Sequence, residues 1–113
     1  MQYKSEIEYI AENNGIKNQL LKLVEEMAEV TQEISKLMIS KEDKEVENIY
    51  HEKLTEELAD LAVVLHGVIY LMDNAKEINE HRRYKALRQL RRIRDTGKGG
   101  EPWQKEVEVT KEA

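Results

Sequence analysis

The chain has 113 residues, a formal net charge of -5, a single Pro and no Cys. Its length suits one domain, and its abundant Glu, Lys and Leu favour helices over sheets, so the prediction is an all-α protein. The lack of Cys excludes a disulfide framework. The longest uncharged run, residues 61–72, is too short to cross a bilayer. We therefore expect a cytoplasmic protein with no membrane partner.

Four helices are predicted, and in chain order they cover roughly residues 5–12, 16–40, 44–72 and 75–95. Ser5 and Glu8 have the spacing of a capping box at the start of the first helix. The sequence Asn13-Asn14-Gly15 then breaks that helix. We therefore expect a four-helix-bundle-like domain over residues 1–96 and an extended or flexible tail over residues 97–113.

Two short acidic motifs lie in the two long predicted helices, with 27 residues between them. They are Glu26-Met27-Ala28-Glu29 and Glu57-Leu58-Ala59-Asp60. Carboxylates three residues apart on a helix lie side by side, so two antiparallel helices could bring four of them together. Such a cluster suits hard divalent cations, and hard cations suggest phosphate chemistry.

The position of Glu57 relative to the apolar face distinguishes this pattern from two ordinary charged surfaces. At about 100° per residue, Glu57 falls inside the apolar arc of its helix. A carboxylate that faces a packed interior is disfavoured unless it is paired or binds metal. Glu26 falls on the flank of the predicted buried stripe of its own helix, and Glu29 lies further round. That stripe consists of Leu20, Leu23, Val24, Met27, Val30, Ile34 and Met38.

The donor types narrow the choice of metal. A di-iron carboxylate bundle needs Glu-x-x-His from two helices, and no His in this chain follows a Glu at that spacing. With no Cys either, the site would offer only oxygen atoms. This favours Mg²⁺ or Mn²⁺ over zinc or iron.

The same residues resemble the MazG-like, all-α nucleoside triphosphate pyrophosphohydrolases, whose signature is Glu-x-x-Glu, a spacer and Glu-x-x-Asp. Residues 19–30 resemble the first metal helix of that family, residues 56–61 the second, and residues 84–93 the basic helix that follows. The resemblance implies Mg²⁺-dependent attack of water at the α-phosphorus of a nucleoside triphosphate. The products would be a nucleoside monophosphate and pyrophosphate, as in sanitation of the nucleotide pool. It also implies a metal and catalytic set made of Glu26, Glu29, Glu57 and Asp60.

Substrate contacts are expected from two further regions. Between residues 81 and 98 the chain has eight Lys or Arg and one acid, and Lys85 and Arg88 would bind the phosphates. Gln19 lies about two turns before Glu26 and could contact the base or sugar. The alternative function is a non-enzymatic helical module that uses the basic helix 82–98, either to bind nucleic acid or as an interaction protein. The same charges would also suit a solvated face.

Residues 61–72 also predict association between chains. The segment is apolar nearly all round, which is typical of a helix that is buried on every side. A chain this small has too little surface to cover it. We therefore expect a homo-oligomer, either a dimer or a tetramer, which is also what the family resemblance implies.

Overall fold

The protein is described by a computed structural model that covers residues 4–40 and 43–96. Within these residues the fold is all-α, as predicted, and consists of α1 (Glu6–Ile39), α2 (Lys44–Met72) and α3 (Ala75–Asp95). The chain separates into two units, Met1–Asp73 and Asn74–Ala113. The first contains α1 and α2, and the second contains α3. The predicted tail, residues 97–113, lies outside the described residues.

The N-terminus of α1 follows the sequence prediction closely. Ser5 Oγ accepts a hydrogen bond from the Glu8 amide at 3.2 Å, and Glu8 Oε1 accepts one from the Ser5 amide at 3.1 Å. The predicted break is present as a kink at Gly15, where φ is 81° and ψ is 159°. Gly adopts this positive φ without the strain that a side chain would cause. The first two predicted helices are therefore one kinked helix, and the described chain has three helices rather than four.

α1 and α2 run antiparallel. Near the start of α1, Glu12 Oε1 accepts a hydrogen bond from the Tyr70 hydroxyl at 3.1 Å, close to the end of α2. Further along α1, Glu26 lies beside Asp60, which comes ten residues earlier than Tyr70. Lys4 Nζ forms an ion pair with Glu12 Oε2 at 2.6 Å, which lies within the N-terminal segment itself. The hydrogen bond from Tyr70 is therefore the contact of Glu12 that holds this segment to α2.

The two helices approach each other closely at Gly67. A Cβ atom there would lie 2.6 Å from Gln19 Nε2 and 3.0 Å from Ala11 Cβ. Ala11 is 0% exposed, so a small residue on each helix allows this contact. The apolar core of this unit is small, and its buried members are Ala11, Val30, Val64 and Val68.

The face that α1 presents to α2 differs from the predicted one. Its buried residues are Ala11, Gln19, Glu26, Val30 and Glu33. Most of the predicted apolar stripe is exposed instead, and Val24 keeps 66% of its surface. By helical spacing the stripe is centred about 90° round from the face that contacts α2. The prediction failed because it assumed that the apolar face of α1 packs within one chain.

α2 also leaves apolar side chains uncovered. In the predicted all-round apolar segment, Val64, Gly67 and Val68 are buried against α1, while Val63 and Leu65 are exposed. The first unit therefore has apolar surface on both helices. Among the described residues no single helix is long and apolar enough to cross a membrane, and α2 and α3 meet that test only when they are taken together.

Candidate metal centre

The two acidic motifs meet where α1 faces α2. One carboxylate oxygen from each of Glu26, Glu57 and Asp60 lies within 4.8 Å of the others. Glu29 completes the cluster, because its carboxylate shares a hydrogen bond with Glu57 and repels both Glu57 and Glu26. The structure thus brings together the four carboxylates that the spacing predicted.

Burial within the cluster is uneven and reverses one expectation. Glu26 is only 5% exposed, although its predicted place was the flank of the buried stripe. Glu57 is half-buried and Asp60 is exposed. Glu26 is the more buried because α1 turns its polar flank, rather than its apolar stripe, towards α2.

Two oxygen atoms of the cluster lack donors. Glu26 Oε2 and Glu57 Oε2 are buried and have no hydrogen-bond partner within the described residues. A buried carboxylate oxygen without a donor is costly, and such groups usually bind a proton, a cation or water. The set offers only oxygen ligands, which are the ligands that Mg²⁺ and Mn²⁺ prefer. The residues therefore fit the metal that the family resemblance implies.

Crowding of like charges changes the acidity of two members. The hydrogen bond with Glu29, burial and the repulsion of the neighbouring carboxylates raise the pKa of Glu57 from 4.5 to about 7. Burial, together with repulsion by Glu29 and Asp60, raises the pKa of Glu26, and the nearby Lys22 partly offsets this effect. Without a cation, Glu57 therefore retains a proton that carboxylates normally release well below neutral pH.

A cavity of about 360 Å³ adjoins the cluster. Its described lining consists of Ile7, Ile10, Asn14, Gln19, Lys22, Glu26, Asp60, Val63 and Val64. Two carboxylates of the cluster thus form part of the wall, and the rest consists of four apolar side chains, two amides and one Lys. Asn14 Nδ2 donates to Gln19 Oε1 at 2.9 Å, and Gln19 is 3% exposed. Gln19, predicted from its spacing to Glu26, therefore lies in the wall of the cavity.

Two polar residues of this cavity are absent from the sites predicted from the sequence. One is Asn14, which was interpreted only as part of a helix break. The other is Lys22, whose Nζ lies 3.8 Å from Glu26 Oε1 and 4.0 Å from Glu25 Oε1. The four-residue spacing from Lys22 to Glu26 is a signal that could have identified the ion pair.

Lys85 and Arg88, the predicted phosphate ligands, belong to α3 and so to the other unit. The Arg88 guanidinium lies 5.9 Å from the centre of the Tyr84 ring. Lys85 lines a cleft of about 550 Å³ whose other described lining residues are Asn79, Arg82, Arg83 and Ala86. This surface is strongly basic, as the charge count predicted.

Comparison of the chain with protein-family models, with curated proteins and with solved structures found no match. The chemistry of the site therefore follows from its own residues.

Proposed function

We propose that the protein hydrolyses a nucleoside triphosphate to the monophosphate and pyrophosphate, with Mg²⁺ or Mn²⁺ as cofactor. The observation that carries the proposal is the convergence of Glu26, Glu57 and Asp60 within 4.8 Å, together with buried carboxylate oxygens that lack a donor. The resemblance of the two acidic motifs to those of MazG-like pyrophosphohydrolases supplies the reaction class.

The proposed roles follow from the positions of the side chains. Glu26, Glu29, Glu57 and Asp60 would hold the metal, which supplies charge neutralisation at the phosphates and a lowered pKa of coordinated water. The pKa of Glu57 is about 7 only in the metal-free cluster, because a bound cation would displace that proton. The proton of the attacking water would instead pass to a carboxylate that the metal does not fully engage, Glu25 or Glu26.

The nucleoside and the phosphate chain are assigned to two separate surfaces, the cavity beside these carboxylates and the basic residues of α3. The cavity beside the carboxylates has a volume typical of a small-molecule site, and we assign the nucleoside to it, with Gln19 as a contact. Lys85 and Arg88 on α3 remain the proposed phosphate ligands. Their strongly basic neighbourhood supports this role, because phosphate is bound through charge-assisted hydrogen bonds.

The exposed stripe of α1 supports a homo-oligomer, and we propose a dimer or tetramer of a cytoplasmic, bundle-like protein. Val24, Met27 and Met38 each keep more than half of their surface. Apolar surface of this kind is usually buried against a partner. A second copy of the chain, with the same stripe, provides a matching surface for a symmetric contact.

The test is a screen of canonical and modified nucleoside triphosphates for Mg²⁺-dependent release of pyrophosphate. Glu57→Gln and Asp60→Asn should each lower turnover by about 100-fold or more, because each removes a negative ligand from the metal. Glu56→Gln is the matched control, because Glu56 is exposed on the same helix, and it should retain turnover.

The proposal fails if Glu57→Gln and Glu56→Gln have equal turnover and calorimetry shows equal Mg²⁺ affinity. Tight binding of oligonucleotides that weakens steeply with salt, without any triphosphate turnover, would instead support the nucleic-acid-binding module.

A further inference from the structure

Lys22 lies where the cavity meets the carboxylate cluster. It forms part of the cavity wall together with Glu26 and Asp60. Its ammonium group is 3.8 Å from Glu26 Oε1, while half of its side-chain surface is open to solvent. Within the described lining of the cavity, it is the one cationic side chain.

The ion pair between Lys22 and Glu26 adds little to the stability of the fold. The Lys22 end of this i,i+4 pair is half exposed and therefore well solvated, although Glu26 is buried, and the four-carbon stem of Lys remains free to change rotamer. The distance of 3.8 Å is also too long for a good hydrogen bond. Lys22 is therefore held near Glu26 by charge rather than by fixed geometry.

A divalent cation in the cluster would compete with Lys22 for Glu26. Once the carboxylates are neutralised by such a cation, the attraction on the ammonium group falls, because it depends on the uncompensated negative charge. A polyphosphate that reaches the cation from the cavity would bring new negative charge to the same place. Lys22 lies in the wall of that cavity, so its ammonium group is placed to meet the phosphates.

We propose that Lys22 is a phosphate-binding residue, which pairs with Glu26 in the metal-free protein and turns to the substrate's phosphate chain when a divalent cation occupies the cluster. The inference rests on the proposed function for the identity of the substrate. It adds a phosphate contact from α1, the helix that also supplies Glu26 and Glu29. The carboxylates and the cavity are positioned by the same unit, so this contact does not depend on α3.

The experiment compares Lys22→Met, Lys22→Arg and Lys17→Met with the unaltered chain. Inorganic tripolyphosphate in the presence of Mg²⁺ is the binding probe for calorimetry, and triphosphate turnover is measured in parallel. Lys17 is exposed on α1, and five residues of helix put it on another face, so Lys17→Met controls for the loss of one positive charge. Met is a good helix former, and a thermal melt checks that each variant is folded.

Lys22→Met should weaken tripolyphosphate binding by about ten- to a hundred-fold, which is the range for a lost hydrogen bond to a charged group. Lys22→Arg should retain most of the affinity, since Arg also binds phosphate, and Lys17→Met should match the unaltered chain. Mg²⁺ alone should bind to Lys22→Met at least as tightly as to the unaltered chain, because a competing cation has been removed.

Equal tripolyphosphate affinity in Lys22→Met and Lys17→Met overturns the inference, and turnover by the unaltered chain would then leave the proposed function standing. Weaker Mg²⁺ binding in Lys22→Met also overturns it, because Lys22 would then be shaping the carboxylate cluster itself. If the unaltered chain binds tripolyphosphate through Lys22 but cleaves no triphosphate in the screen, the proposed function fails and the phosphate site remains.

Discussion

Gly67→Ala tests how tightly α1 is packed against α2 at the cavity wall. The added methyl group would lie 2.6 Å from Gln19 Nε2 and 3.0 Å from Ala11 Cβ, both shorter than a normal contact between such atoms. The Gln19 amide is the end of a flexible side chain and can turn away. Ala11 Cβ is fixed to the backbone of α1, so the helices must separate by a few tenths of an ångström.

The expected change in unfolding free energy combines opposing effects. Replacing Gly by Ala inside a helix favours folding by about 1 kcal/mol. Overpacking at a close helix contact costs about 1–3 kcal/mol, and displacing Gln19 sacrifices its hydrogen bond from Asn14, worth about 1 kcal/mol. The net prediction is a destabilisation of about 1–3 kcal/mol.

Urea denaturation followed by circular dichroism measures this change. Ala62→Gly, at an exposed position of the same helix, isolates the propensity effect and should cost about 1 kcal/mol. Gln19→Ala combined with Gly67→Ala should recover part of the loss, because the nearer of the two clashing atoms is removed. A Gly67→Ala variant that is more stable by about 1 kcal/mol, as propensity alone predicts, would refute the close packing of the two helices.

Two further predictions concern pH and assembly. In the folded chain the pKa of Glu57 is about 7, whereas an ordinary carboxyl has a pKa near 4.5. Protonation of Glu57 therefore stabilises the folded state, and without metal the melting temperature should fall as pH rises between these values. Glu57→Gln should flatten that fall. Mg²⁺ affinity should rise across the same range because the metal competes with protons; a flat metal-free profile would contradict the raised pKa. Sedimentation velocity at micromolar concentration should show a dimer or larger species. Val24→Asp, in the exposed apolar stripe of α1, should shift the protein towards monomer. Gln32→Asp, at an exposed polar position of the same helix, should leave the assembly unchanged. A monomeric unaltered chain would mean that the apolar stripe has no partner copy.

Local features of the fold could be predicted from the sequence. The capping box at Ser5 and the interruption at Gly15 depend on residues a few positions apart, so their signals are complete within a short window. The meeting of Glu26 with Glu57 was also predictable, because two pairs at three-residue spacing need only two antiparallel helices to converge.

The orientation of α1 could not be predicted in the same way. Hydrophobic periodicity finds the most apolar face of a helix, but it does not say whether that face meets the same chain or remains open. In this protein the stripe around Val24 is exposed and the flank with Glu26 is buried. Lys22 and Asn14 were missed for a related reason, since the cavity that they line exists only once α1 and α2 are packed.

The kink at Gly15 has a consequence for the affinity of any ligand of the cavity. Ile7, Ile10 and Asn14 come before the kink, whereas Gln19 and Lys22 come after it. The cavity is therefore complete only in molecules whose N-terminal segment is docked on α2, where the exposed hydrogen bond from Tyr70 to Glu12 helps to retain it. Such segments open locally at a lower free energy than the whole domain. A ligand's apparent dissociation constant is the intrinsic constant divided by the docked fraction, so residues that never touch the ligand set part of its affinity.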